Sequence, residues 1–157
     1  MEPLQVARPV NVRPRVYYPI KTAWLAACIA SFAAMGLVFL NVRAMWASEA
    51  MVSPKKGGFH MVNDVRADNQ QVEKVPGVMP NQEASMAKLS EVRFYGSLDL
   101  LQGYWQCPRA PNGQEIYTIA TPGGLYKPTR VPQGILNATS YFQATNTRVL
   151  LGFNCMV

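Results

Sequence analysis

The sequence predicts an α+β fold, an antiparallel sheet with helices packed against it. Three observations carry this. Two pairs of strand-like runs each meet at a glycine-bearing turn: "WASEAMVS" and "FHMVNDV" across "PKKGG", and "EIYTIAT" and "LYKPTRV" across Pro122-Gly123-Gly124. Two other stretches, 22–35 and 137–151, repeat bulky apolar residues at helical spacing. The two kinds of element alternate along the chain, as a layered α+β or α/β domain requires. With 157 residues, 49% of them hydrophobic, the chain can bury one modest core.

Residues 1–19 place prolines among arginines ("ARPVNVRPRVYYP") and read as an extended basic arm, with the boundary to the folded part at 16. Next comes "TAWLAACIASFAAMGLVFL", 22–40, which carries no charge. Its bulk is one-sided. Trp24, Leu25, Cys28, Ile29, Phe32 and Met35 form a stripe, and alanines and Ser31 fill the other face. Lipid would favour bulk all round, whereas a core helix needs a single apolar stripe. Gly36 can end the helix by taking positive φ. About 14 helical residues rise roughly 21 Å, short of a hydrocarbon core of about 30 Å. Basic residues flank the stretch on both sides, with Arg13, Arg15 and Lys21 before it and Arg43, Lys55 and Lys56 after. A secretory signal does not fit, because the apolar run starts late and no small-x-small site follows. The expectation is a core helix over 22–35. The alternative is a small single-pass membrane protein with its span near 22–40.

Strands are expected at 46–53 and 59–65, with Lys55 and Lys56 at the turn between them. The stretch 74–84 reads as loop, and Asn81 or Ser85 can cap a helix through "EASMAKL". "VRFYGSLDL", 92–100, alternates like a strand and delivers Asp99 near its end. The second hairpin follows at 115–131. A helix over 137–151 can end at Gly152, and "FNCMV" begins a further strand.

The charge of +6 fits contact with polyanions. Three widely spaced cysteines, Cys28, Cys107 and Cys155, form neither a zinc pattern nor a disulfide framework, which points to a reducing, intracellular compartment. The single histidine, His60, cannot build a metal cluster or a triad, so hydrolase chemistry has no support.

Three blocks occur in order: "SPKKGGFHMVNDVRADN" (53–69), "YGSLDLLQGYWQ" (95–106) and "TRVPQGILNATSYFQ" (129–143). Alone, each has a plain structural reading. An aspartate at a strand end is ordinarily a turn residue, a lysine pair beside glycines a solvated turn, Tyr104 a core aromatic, and "PQG" a turn. In this order they resemble the fingers and palm of reverse transcriptases, especially those of gypsy-type retrotransposons with long terminal repeats. The resemblance covers roughly 17–157 and implies a partial right-hand polymerase fold, the fingers with an incomplete palm. It implies RNA-directed DNA polymerisation in the parent enzyme, with an RNA template, a DNA primer, a nucleoside triphosphate and Mg2+ as partners.

Carried over position by position, the resemblance makes Asp99 the first metal-binding aspartate and the backbone carbonyl of Leu100 a further ligand. Tyr104 matches the aromatic beneath the sugar, and Gln133 the glutamine that contacts the incoming nucleotide or the template. Lys55 and Lys56 lie where a triphosphate is gripped, and Arg66 is the basic residue of the "D-x-R" block. Several positions depart from the family. His60 stands where an arginine is usual, Val65 where an aromatic is, and Asp68 where a leucine is. Arg109 and Asn146 occupy apolar positions. A charge such as Asp68 in a packed position would cost several kcal/mol (roughly 2–7 for an uncompensated polar group) or open the site to water. In the family, the continuation of "GFNCMV" carries two adjacent aspartates, and these 157 residues contain no such pair. The expectation is a fragment that is inactive by itself, with a non-catalytic nucleic-acid-binding remnant as the alternative.

Overall fold

The computed structural model describes residues 8–90, 93–94 and 96–152. The first helix, α1, runs from Pro19 to Ala34, starting ahead of the predicted 22 because Pro19 sits in its first turn with φ already helical. Its end is set locally. Gly36 takes φ +68°, its N–H donates to the Ala33 carbonyl, and the N–H of Leu37 donates to that of Phe32. This pair of bonds is a Schellman motif, which only a residue tolerant of left-handed φ completes without strain. Leu25 and Ile29 are buried, Trp24 packs edge-on to Phe59 with ring centroids 5.9 Å apart, and Phe32 packs tilted against Trp105 at 4.8 Å. The apolar stripe therefore faces protein. Met35, counted in that stripe, lies past the helix end and is exposed. Among the described residues, no helix is long and apolar enough to cross a membrane.

Five strands form one sheet in the order β1-β5-β4-β2-β3. They are β1 (Val38–Leu40), β2 (Ser48–Lys55), β3 (Gly58–Asp64), β4 (Ile119–Thr121) and β5 (Gly124–Pro128). Both predicted hairpins are present. In the first, Lys55 pairs with Gly58 across a two-residue turn of Lys56 and Gly57, where Gly57 takes φ +87°. In the second, Thr121 pairs with Gly124 across Pro122-Gly123. The sheet is not wholly antiparallel, because β2 and β4 run parallel at Ser48↔Ile119 and Glu49↔Ala120. The second predicted strand pair begins later than 115, since Glu115–Tyr117 closes a 3₁₀ turn stapled by Thr118 Oγ1 to the Glu115 carbonyl at 2.6 Å.

Where β4 ends, the edge of β2 is open, and a side chain closes it. The Tyr17 hydroxyl donates to the Ala50 carbonyl at 3.0 Å and accepts from the Val52 N–H at 2.9 Å. The arm runs beside the start of β2. Asn11 bridges Ala47, and Arg15 pairs with Glu49 at 2.7 Å.

The smaller helices are α2 (Arg66–Asn69), α3 (Gln82–Leu89), α4 (Gly103–Gln106) and α5 (Ala138–Val149). Asn81 caps α3 by accepting from the N–H groups of Glu83 and Ala84. Gly152 follows α5 with φ +107°. Two apolar clusters hold these parts together. One joins Leu25 and Ile29 to Val38, Ala50, Val52 and Ile119. The other gathers Trp46, Val65, Cys107, Tyr117, Val131 and Ile135.

One predicted strand is not formed. Residues 93–94 and 96–100 lie outside the sheet, with Phe94 and Leu98 more than nine-tenths exposed. Val92 and Tyr95 lie outside the described residues, as does "FNCMV". Alternation makes a run able to pair, but a strand exists only where its N–H and C=O groups meet a neighbouring ladder. The five-stranded sheet offers the described residues of this run none.

Candidate functional site

The β2–β3 hairpin carries the first group of candidates. Tight register puts Lys55 and Lys56 at its tip, both exposed. Lys21, from the first turn of α1, reaches the Val52 carbonyl at 3.5 Å, with its ammonium 5.9 Å from the Phe59 ring centroid. Its charge is thus held at the flank of the same hairpin. His60 faces Ser53 across the hairpin and is half-buried.

Where β3 gives way to α2, Arg66 grips Asp64 through two bonds, Nε to Oδ1 at 2.8 Å and Nη2 to Oδ2 at 2.7 Å. The guanidinium holds the Asp64 carboxyl below its ordinary value, chiefly through these bonds, and the Arg66 pKa rises in return. Arg66 stays exposed, so its outer face is open to an anion. Gln133, also exposed, sits on a loop packed against the same region. Gly134 has φ +98°, and a Cβ there would lie 3.4 Å from Val65 Cγ2. The last residue of α2 ties the loop down. Asn69 Nδ2 donates to the Gly134 carbonyl at 2.9 Å, and its Oδ1 accepts from the Leu136 N–H at 3.0 Å. The structure therefore brings Gln133 to the helix that begins at Arg66.

The third group clusters around α4. Tyr104 packs tilted against Phe142 with centroids 5.2 Å apart, and its hydroxyl lies 3.5 Å from Thr139 Oγ1. A Cβ on Gly103 would lie 2.7 Å from Phe142 Cζ, so glycine permits this approach of α4 to α5. Gln102 precedes α4 with φ +48°, and the Leu100 carbonyl accepts from the Gly103 N–H at 3.1 Å. Asp99 is exposed on the unpaired run before this turn, not at a strand end. Among the described residues, no group of three or more histidine, cysteine or acidic side chains could hold a metal ion. One exposed carboxylate and a carbonyl already engaged in a turn supply too few oxygens for a pair of magnesium ions about 3.5–4 Å apart.

Two predicted misfits, Asp68 and Arg109, are buried, and the charge of each acts on Tyr117. Asp68 has no exposed surface. Ser48 Oγ donates to its Oδ2 at 2.6 Å, and its Oδ1 has no partner. Burial raises its pKa, and the nearby Asp64 charge adds to the rise against the bond from Ser48. Arg109 lies with its guanidinium carbon 4.6 Å from the Tyr117 ring centroid. Its Nη2 donates to the Gly113 carbonyl, while Nη1 has no partner. Burial lowers its pKa to about 10 and raises that of Tyr117 to about 12. Asn146 is half-buried on α5. Asn69 and Asn137 are the organising residues that sequence reading missed. The available signal was that each sits at the boundary of an element, where asparagine side chains commonly bond backbone.

No protein-family model matches the chain. The chain is 32% identical over 162 aligned residues to the Gag-Pol polyprotein of Avian reticuloendotheliosis virus, covering 96% of this chain and 14% of that relative. It is 32% identical over 103 residues to the retrovirus-related Pol polyprotein from transposon gypsy of Drosophila melanogaster, covering 66% of this chain and 10% of the relative. The chain thus spans a small part of the length of the curated relatives it matches. Among solved structures, the native protease-reverse transcriptase of Prototype Foamy Virus superposes on 98% of this chain and 21% of its own, with TM-score 0.78 and 22% identity. A foamy viral protease-reverse transcriptase in complex with RNA/DNA hybrid superposes with TM-score 0.75 and 21% identity over 94% of this chain and 20% of that one.

Proposed function

We propose a nucleic-acid-facing role on the premise that the chain belongs with the Pol polyproteins of retroelements, as a segment of the reverse-transcriptase kind. The observation that carries the proposal is the likeness of fold over 98% of the chain at TM-score 0.78. Solved relatives of that fold were captured with dsDNA and with RNA/DNA hybrid. Residues 17–157 correspond on this reading to fingers and partial palm, with 1–16 as a separate arm. Lys55, Lys56 and Arg66 engage phosphates of template, primer or nucleoside triphosphate. Tyr104 supports a sugar, and Gln133 faces the nucleotide or the template.

In the parent enzyme, magnesium would stabilise charge during nucleotidyl transfer, and Asp99 with the Leu100 carbonyl would belong to its ligands. In these 157 residues no adjacent aspartate pair stands beside them. The polypeptide by itself therefore binds nucleic acid weakly and extends no primer.

Two measurements test this. Binding to a primer-template duplex is titrated at several salt concentrations. With roughly three to five phosphate contacts, the log–log slope is about −3 to −5, and replacing Lys55 and Lys56 by alanine makes it shallower by about two contacts. Nanomolar binding indifferent to salt contradicts the proposal. Primer extension on an RNA template with magnesium or manganese is then compared with an Asp99→Asn control. Incorporation by the unaltered polypeptide that the control abolishes overturns the claim of catalytic incompleteness.

A further inference from the structure

Two segments distant in sequence are joined by four hydrogen bonds of one kind. From residues 69–75, Asn69 reaches across to the backbone of the Gln133 loop, bonding the Gly134 carbonyl at 2.9 Å and the Leu136 N–H at 3.0 Å. From the other side, Asn137 reaches back. Its Nδ2 donates to the Glu73 carbonyl at 2.8 Å, and its Oδ1 accepts from the Val75 N–H at 3.0 Å. Each primary amide presents a donor and an acceptor at one reach, so each bonds a C=O and an N–H of the opposite segment as a neighbouring strand would. The Gly134 carbonyl can only accept and the Leu136 N–H can only donate, which leaves the Asn69 amide one consistent orientation, and the Tyr117 hydroxyl adds a bond to its Oδ1 at 3.3 Å.

Asn137 is buried, and it stands at the N-cap of α5 without making a capping bond. Its amide serves the other segment instead. The strap it holds runs on across α5, where a Cβ on Gly77 would overlap Ser140 Oγ.

We infer that Asn69 and Asn137 form a reciprocal pair of positioning residues that hold the Gln133 loop against the helix carrying Arg66. The consequence for binding rests on the proposed function; the clamp itself does not. Neither residue touches the nucleic acid. Their action is to keep Gly134 in its left-handed conformation and the Leu136 amide engaged, so that Gln133 is presented at a fixed place relative to Arg66.

Amide hydrogen exchange on the 157-residue chain separates a clamp from general stability. Loss of one side-chain bond, about 1–1.5 kcal/mol, corresponds to exchange roughly tenfold faster at the amide that bond protects. Asn69→Ala is expected to accelerate Leu136 by that factor and leave Val75 little changed. Asn137→Ala is expected to do the reverse. Asn69→Asp keeps an acceptor for the Leu136 N–H but opposes the Gly134 carbonyl with oxygen, so it retains most of the Leu136 protection. That variant, with Asn137→Ala, preserves the contrast should Asn69→Ala fail to fold. Equal acceleration at both amides, or none at Leu136, overturns the clamp.

Primer-template binding supplies the second readout. Asn69→Ala is expected to weaken affinity several-fold with the salt slope unchanged, since the phosphate contacts stay. Unaltered affinity beside faster Leu136 exchange overturns the positioning role. An unaltered chain that binds no nucleic acid overturns the proposed function instead, and the clamp then stands or falls on exchange alone.

Discussion

Replacing Asp68 by leucine should stabilise this protein at neutral pH. The carboxylate has no exposed surface, one bond from Ser48 and one oxygen without a partner. An unsatisfied buried polar atom costs about 1–3 kcal/mol, and more when it carries charge. Leucine removes that penalty but leaves Ser48 Oγ unpaired, returning about 1 kcal/mol. The net gain is up to about 2 kcal/mol, which for a domain of this length raises Tm by up to about 8 °C.

Asp68→Asn should gain less, because it keeps the Ser48 bond and still leaves one polar atom without a partner. The pH dependence has a definite sign. Burial raises the native pKa above the ordinary 3.8, so between the two values the folded protein binds more protons than the unfolded chain. The favourable contribution of Asp68 is complete below the unfolded value and is lost as pH rises through the folded one. Asp64, whose pKa is lowered by Arg66, has the opposite trend, so the comparison must be wild type against Asp68→Asn at each pH. Urea unfolding from pH 4 to 8 provides the measurement. The variant should overtake the wild type as pH rises. A wild type that gains on the variant over that range would refute the reasoning, because the carboxylate would then be better accommodated charged in the fold than in water.

Two smaller changes probe the scaffold. Gly36→Ala has open space around the added methyl, so its cost is the left-handed φ alone, about 1–2 kcal/mol, and Tm should fall accordingly. A variant with unchanged Tm would mean that the turn had re-formed with another φ. Tyr17→Phe removes the hydroxyl that closes the edge of β2, so the Val52 amide should exchange faster and stability fall by about 1–3 kcal/mol. Unchanged exchange at Val52 would show that water replaces the phenol without loss.

Features that could be read from the chain are those decided within a few residues. The Gly36 stop, the Lys56-Gly57 and Pro122-Gly123 turns and the Asn81 cap each depend on local φ, ψ or a bond two or three residues away. The apolar stripe of α1 is likewise a property of one helix. The parallel β2–β4 pairing, by contrast, joins Ser48 to Ile119, and no local pattern records which strand lies beside which. The run 92–100 failed for the same reason from the other side. Its alternation is genuine, but its described residues find no ladder. Asp68 and Arg109 were legible as misfits only through the family resemblance, which implies apolar residues at those positions. That each leaves a buried atom without a partner, Arg109 against the Tyr117 ring, required the packing.

The candidate site divides along the same line, and the division has a functional consequence. Lys55 and Lys56 sit on a hairpin with full register, and Gln133 is tied to the Arg66 helix by bonds to backbone. None of these ties involves Asp99. Asp99 lies on the exposed run ahead of α4, followed by the turn from Leu100 to Gly103 and the bond from Gln106 Nε2 to the Leu101 carbonyl. A phosphate contact tolerates some looseness, since a cation attracts over several ångströms. In-line transfer does not, because a misplacement of 1 Å can cost about a hundredfold in rate. On the proposed function, binding therefore tolerates a looseness at Asp99 that nucleotidyl transfer does not. On that same reading, pairing the run ahead of Asp99 with a strand is what would hold its carboxylate to the tolerance that in-line transfer demands.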